Sequence, residues 1–75
     1  MRVSIDGDVR RAITRLYNSD EPITVARARS VIGDASYSDE EIEKTIRELI
    51  PNAPVEWGYD DGETVKTWLV DTLPW

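Results

Sequence analysis

Val9, Ala12, Ile13, Leu16 and Tyr17 recur at i, i+3, i+4, i+7 and i+8, one apolar stripe of an amphipathic helix. The stripe breaks at Asn18-Ser19-Asp20-Glu21-Pro22. A first helix is therefore predicted over about 7–18, with Asp6 or Asp8 as the cap. Ile23-Thr24-Val25 is β-branched and follows proline, long enough for a bridge rather than a full strand. Thr24 can also cap a short second helix, about 24–32, with Ala28, Val31 and Ile32 inward. Gly33 stands where a left-handed C-terminal residue is wanted.

The next boundary carries two signals. Ser38-Asp39-Glu40-Glu41 reads as a capping box, and Tyr37 with Ile42 as a hydrophobic staple. Ile42, Ile46, Leu49 and Ile50 then form the inward stripe of a third helix, about 38–50, stopped by Pro51 and Pro54. Beyond it, Val55, Trp57 and Tyr59 alternate with Glu56 and Gly58, Asp60-Asp61-Gly62 supplies a turn, and Thr64 to Val70 is β-branched and aromatic. This predicts a hairpin over about 54–70 and a tail over 71–75. Two registers compete. A two-residue Asp61-Gly62 turn pairs Trp57 with Lys66. A three-residue turn with a bulge at Gly62 pairs Trp57 with Val65 and Glu56 with Lys66. The second is the expected one, because it sets opposite charges across the ladder and turns Val55, Trp57, Val65 and Leu69 to one face. Trp57 is then core, and Trp68 and Val70 point away, under the tail or toward a partner.

Helix, short strand, short helix, turn, capped helix and hairpin, over about residues 7–70, resemble the winged helix-turn-helix superfamily. The resemblance implies an α+β fold: a single domain over 1–75, with three helices and a C-terminal β-hairpin wing. Residues 24–32 and 38–50 would form the helix-turn-helix, and the turn near Asp60–Glu63 the wing tip. The Gly33–Tyr37 connection is longer than the tightest helix-turn-helix turn. The resemblance also implies a DNA-binding transcriptional regulator with its third helix in the major groove. Lys44, Thr45 and Arg47 would reach the groove, and Arg27, Arg29 and Lys66 the phosphates of duplex DNA.

Charge changes that picture. Fifteen acidic residues face nine basic ones, a net −6, with a pI near 4.4. Residues 1–37 carry six arginines against five acids, and residues 38–75 three cations against ten acids. The acids fall at the start of the third helix and at the wing tip, the elements that should touch a phosphate backbone. The alternative is an acidic protein–protein interaction module, one version of which is a DNA mimic. It would use Asp39, Glu40 and Glu43, or an apolar patch of Trp68 and Trp75, a patch that would also serve to close a homodimer. Acid excess with seven arginines to two lysines suits a high-salt cytoplasm or a GC-rich genome.

Histidine and cysteine are absent, which removes imidazole bases, thiol nucleophiles and Cys/His zinc sites. Neither Asp6-Gly7-Asp8 nor Asp60-Asp61-Gly62-Glu63 has calcium-loop spacing. No glycine-rich phosphate loop occurs. The expectation is a cytoplasmic, non-enzymatic protein with no cofactor, no metal and no membrane span.

Overall fold

The computed structural model describes residues 4–33 and 36–75. It is an α+β arrangement of three helices followed by an antiparallel hairpin: α1 (Ile5–Asn18), α2 (Val25–Ile32), α3 (Asp39–Leu49), β1 (Val55–Asp60) and β2 (Glu63–Trp68). Arg2 and the middle of the Gly33–Tyr37 connection lie outside the described residues.

The helix ends follow from local chemistry. α1 begins two residues before the expected start. Ser4 is its N-cap, its hydroxyl accepting from the Gly7 amide at 3.3 Å. The acids expected to cap it, Asp6 and Asp8, sit instead in the first turn, where a carboxylate favours the dipole. Asp8 is buried and accepts from the Tyr37 hydroxyl at 2.8 Å, tying α1 to the approach to α3. Thr24 caps α2 through the Arg27 amide, and Gly33 closes it at φ 72°. At α3 both halves of the capping box form: Ser38 Oγ accepts from the Glu41 amide and Glu41 Oε1 from the Ser38 amide, each at 3.1 Å.

The apolar stripes meet in one core of Val9, Ala12, Ile13, Leu16, Ile23, Ala28, Ile42, Ile46, Ile50 and Trp68. Burying an aliphatic side chain of this size contributes roughly 1.5–3 kcal/mol. Val31, Ile32, Tyr37, Leu49, Val70 and Leu73 pack against its rim. The bridge expected at Ile23–Val25 is present at Ile23, which pairs antiparallel with Trp68, whose amide donates to the Ile23 carbonyl at 3.0 Å. It attaches the hairpin to the helices.

The hairpin register differs from the expected one. Trp57 pairs with Lys66, Val55 with Trp68, Tyr59 with Thr64 and Asp60 with Glu63. Asp61 and Gly62 form a two-residue turn with φ of 52° and 82°. Positive φ at both positions is what a type I′ turn requires, and its twist matches that of the strands. Asp61 accepts the left-handed conformation, so no bulge at Gly62 is needed. Residues directly opposite share a face, so Val55, Trp57 and Tyr59 lie with Trp68, Lys66 and Thr64. Two expectations thereby reverse. Trp68 is core, 2% exposed, while Trp57 is 68% and Tyr59 80% exposed. Val55 and Leu69 are exposed as well.

Candidate interaction cleft

The inner face of the hairpin overhangs the starts of α2 and α3. Between them lies an open cleft of about 520 Å³. Val25, Ala26 and Arg29 of α2, Asp39, Glu40 and Glu43 of α3, and Trp57, Thr64 and Lys66 of the hairpin line it. Three carboxylates thus face two cations across an apolar floor, with the Trp57 indole open to solvent.

The cations expected to hold phosphates are mostly engaged within the molecule. Arg27 donates from Nε and Nη2 to the two carboxylate oxygens of Asp60, both at 2.7 Å, and from Nη1 to Glu21 at 2.7 Å. Hydrogen bonding from Arg27 holds the Asp60 carboxyl below the usual carboxylate range, partial burial opposing and the positive charge adding to it. The Arg27 guanidinium is raised in turn, chiefly by the bond to Asp60. Arg29 donates from Nε and Nη2 to one oxygen of Asp39. Glu43 is bracketed by Arg47, at 2.8 Å one helical turn on, and by Lys66 of β2 at 3.4 Å.

Of the expected groove-reading residues, Thr45 is 5% exposed and its hydroxyl donates to the Glu41 carbonyl at 2.8 Å. It belongs to the packed side of α3 and cannot reach a base edge. Arg47 is exposed but paired. Lys44 is exposed and makes no ion pair among the described residues. A continuous basic stripe across α2 and α3 is therefore not formed.

The expected acidic surface is assembled: Asp39, Glu40 and Glu43 all border the cleft. The Trp68–Trp75 patch is not. Trp68 is sealed in the core. Trp75 lies on α1, where its Nε1 donates to Thr14 Oγ1 at 2.9 Å and the Arg10 guanidinium sits 5.0 Å from the ring centre. The Tyr17 hydroxyl donates to the Asp71 carbonyl at 2.6 Å, so the tail is strapped to α1. The residues missed in the sequence are Trp57 and Tyr59. The two-residue Asp61-Gly62 turn was the signal that exposes them.

No helix among the described residues is long and apolar enough to cross a membrane. Searches of protein-family models, curated proteins and solved structures find no match for the chain. The class defined by fold and site is thus a three-helix and hairpin α+β protein with an acidic, aromatic cleft.

Proposed function

We propose that the chain is a winged-helix protein-interaction module whose cleft receives a basic, partly apolar segment of another protein. One observation carries this reading. On the face where a winged helix would meet DNA, Arg27, Arg29, Arg47 and Lys66 are each paired with a carboxylate, while Trp57 and Tyr59 stay exposed. Duplex affinity comes largely from cations that displace counterions from phosphates. Here those cations would first have to leave their carboxylates, and Glu40 and Asp39 would meet the same phosphates. A partner's arginine or lysine meets the opposite situation. It gains Glu40, which makes no ion pair among the described residues, and can lie over the Trp57 ring, a cation–π contact of about 0.5–1 kcal/mol at an exposed site.

A second reading, a DNA-binding transcriptional regulator, is favoured by the Ile23–Trp68 bridge. That bridge ties the hairpin to the residue before the α2 cap, an attachment compatible with a wing, and Lys44 is exposed on α3. NMR shift mapping with two probes separates the readings. An arginine-bearing amphipathic peptide is expected to shift Glu40, Glu43 and the Trp57 indole, and Glu40→Arg to abolish this. Random duplex DNA at about 50 mM salt is expected to shift nothing. DNA-induced shifts at Lys44 and Arg47 that collapse steeply with added salt would overturn the proposal in favour of the second reading.

A further inference from the structure

The two edges of the hairpin are treated differently. The outer edge of β2 is met at its last residue by Ile23, which accepts from the Trp68 amide. The outer edge of β1 has no partner among the described residues. Its polarity follows from the register. The Leu69 amide donates to the Pro54 carbonyl at 2.8 Å, so Pro54 and, alternating from it, Glu56, Gly58 and Asp60 turn their backbone groups toward β2. Val55, Trp57 and Tyr59 therefore turn their amides and carbonyls outward. The same three residues carry large exposed side chains. A free edge with exposed apolar side chains is a template for strand addition, and neither proline nor lysine blunts it within β1.

We propose that β1 is the pairing edge of a symmetric homodimer, joined antiparallel to the β1 of a second copy about an axis at Trp57. The occupant is inferred from self-complementarity. In this register Trp57 faces its own counterpart and Val55 faces Tyr59, each of the three outward residues forming a doubly hydrogen-bonded pair, about six backbone bonds in all. Glu56 falls opposite Gly58, and Asp60 opposite Pro54. Moving the axis one residue toward the N-terminus sets Glu56 against Glu56. Moving it one residue the other way sets Glu56 against Asp60. Like charges directly opposite are destabilising, so both neighbouring registers are disfavoured and the Trp57-centred one is selected. Gly58 fits this role. A Cβ there would lie 2.9 Å from Thr67 Oγ1, so Gly58 presents no side chain of its own and Glu56 of the second copy meets the Thr67 hydroxyl rather than a like charge. The dimer and the cleft share the Trp57 side chain, whereas the outward amides of Val55, Trp57 and Tyr59 report on the dimer alone.

Sedimentation together with amide hydrogen exchange on the intact chain tests this. The expected mass at high concentration is twice 8.6 kDa. The amides of Val55, Trp57 and Tyr59 should exchange on the order of tenfold or more slowly than in the dilute monomer. Trp57→Glu should give the monomer mass. Within the hairpin its carboxylate faces Lys66, whereas across the axis two carboxylates would meet. Tyr59→Pro should do likewise, removing an outward amide that β2 does not use. If either variant loses its helical circular dichroism, the exchange data on the native chain decide. A mass of 8.6 kDa at every concentration overturns the proposal, as does a dimer whose three outward amides remain unprotected.

Discussion

Arg27 and Asp60 face each other fork to fork across 33 residues of sequence, Nε to Oδ2 and Nη2 to Oδ1, both at 2.7 Å. The pair joins the first turn of α2 to the last residue of β1. It therefore fixes the hairpin tip relative to the helices, which the Ile23–Trp68 bridge does at the other end of the hairpin. A guanidinium suits this task because its planar donors match both carboxylate oxygens at once.

The pair gives stability a defined acid dependence. Asp60 has its folded-state pKa lowered relative to the unfolded chain, so the unfolded state binds protons more readily. The contribution is complete above the unfolded value of about 3.9 and is lost as pH falls through the lower folded value. Denaturant midpoints of the native chain should decline across that window more than those of Asp60→Asn. If the two curves run parallel, the fork makes no contribution to folding. Arg27→Lys should behave like Asp60→Asn, since an ammonium cannot satisfy both oxygens.

The tryptophans divide sharply by burial. Trp68→Ala removes a 2% exposed ring from the centre of the core and is expected to cost about 3–5 kcal/mol. Trp75→Ala loses one hydrogen bond to Thr14 and one cation–π contact with Arg10 at a 37% exposed site. Together these are worth about 1–2 kcal/mol. Urea denaturation measures both. A reversed order would mean that the tail, rather than the Ile23–Trp68 junction, holds the hairpin.

Helical elements were legible in the sequence because their signals are local. The 3.6-residue stripe, the Thr24 and Ser38 caps and Gly33 each act within a turn or two, and α2 and α3 end within one residue of their expected bounds. The α1 cap was displaced because Ser4 offers a hydroxyl two residues before Asp6 and four before Asp8. The site was harder to read because it depends on competition between distant groups. Lys66 has two possible partners, Glu56 across the hairpin and Glu43 on α3, and sequence alone favours the nearer. The core decides otherwise. Trp68 stands at the end of the hairpin that Ile23 ties to the helices, so its ring can be buried there, whereas Trp57 lies nearer the free end; Lys66 then finds Glu43. Likewise Thr45 stands among exposed-looking neighbours, yet it sits one turn after Glu41 on the packed side.

The start of α3 should behave as a coupled unit. Ser38→Ala removes the acceptor for the Glu41 amide and should cost about 1 kcal/mol. Glu41→Ala removes the reciprocal bond to the Ser38 amide. Because each side chain positions the other, the double variant should cost less than the sum of the singles in a thermal-unfolding cycle. Additive losses would show the two bonds to be independent, and α3 to be held by its Ile42 and Ile46 face alone.

The turn chooses the register, and the register chooses which tryptophan is exposed. Gly62 has φ of 82° with open space around it, so Gly62→Ala meets no clash but strains the backbone and should destabilise by about 1 kcal/mol. Asp61, at φ 52°, bears part of the same strain, so Asp61→Asn should be neutral or slightly stabilising, asparagine being a favoured first residue of this turn. Asp61→Val is the decisive variant. A β-branched residue resists positive φ, which favours the three-residue loop with Gly62 as its only left-handed position. That slip turns β2 over relative to β1, which sets Trp68 on the opposite face from Val55 and Trp57 and pulls it from the core. The expected result is loss of the Trp68 amide's slow exchange and a red-shifted tryptophan emission, with α1 and α3 still helical by circular dichroism. If Asp61→Val instead keeps Trp68 protected, the Ile23–Trp68 bridge rather than the turn sets the register.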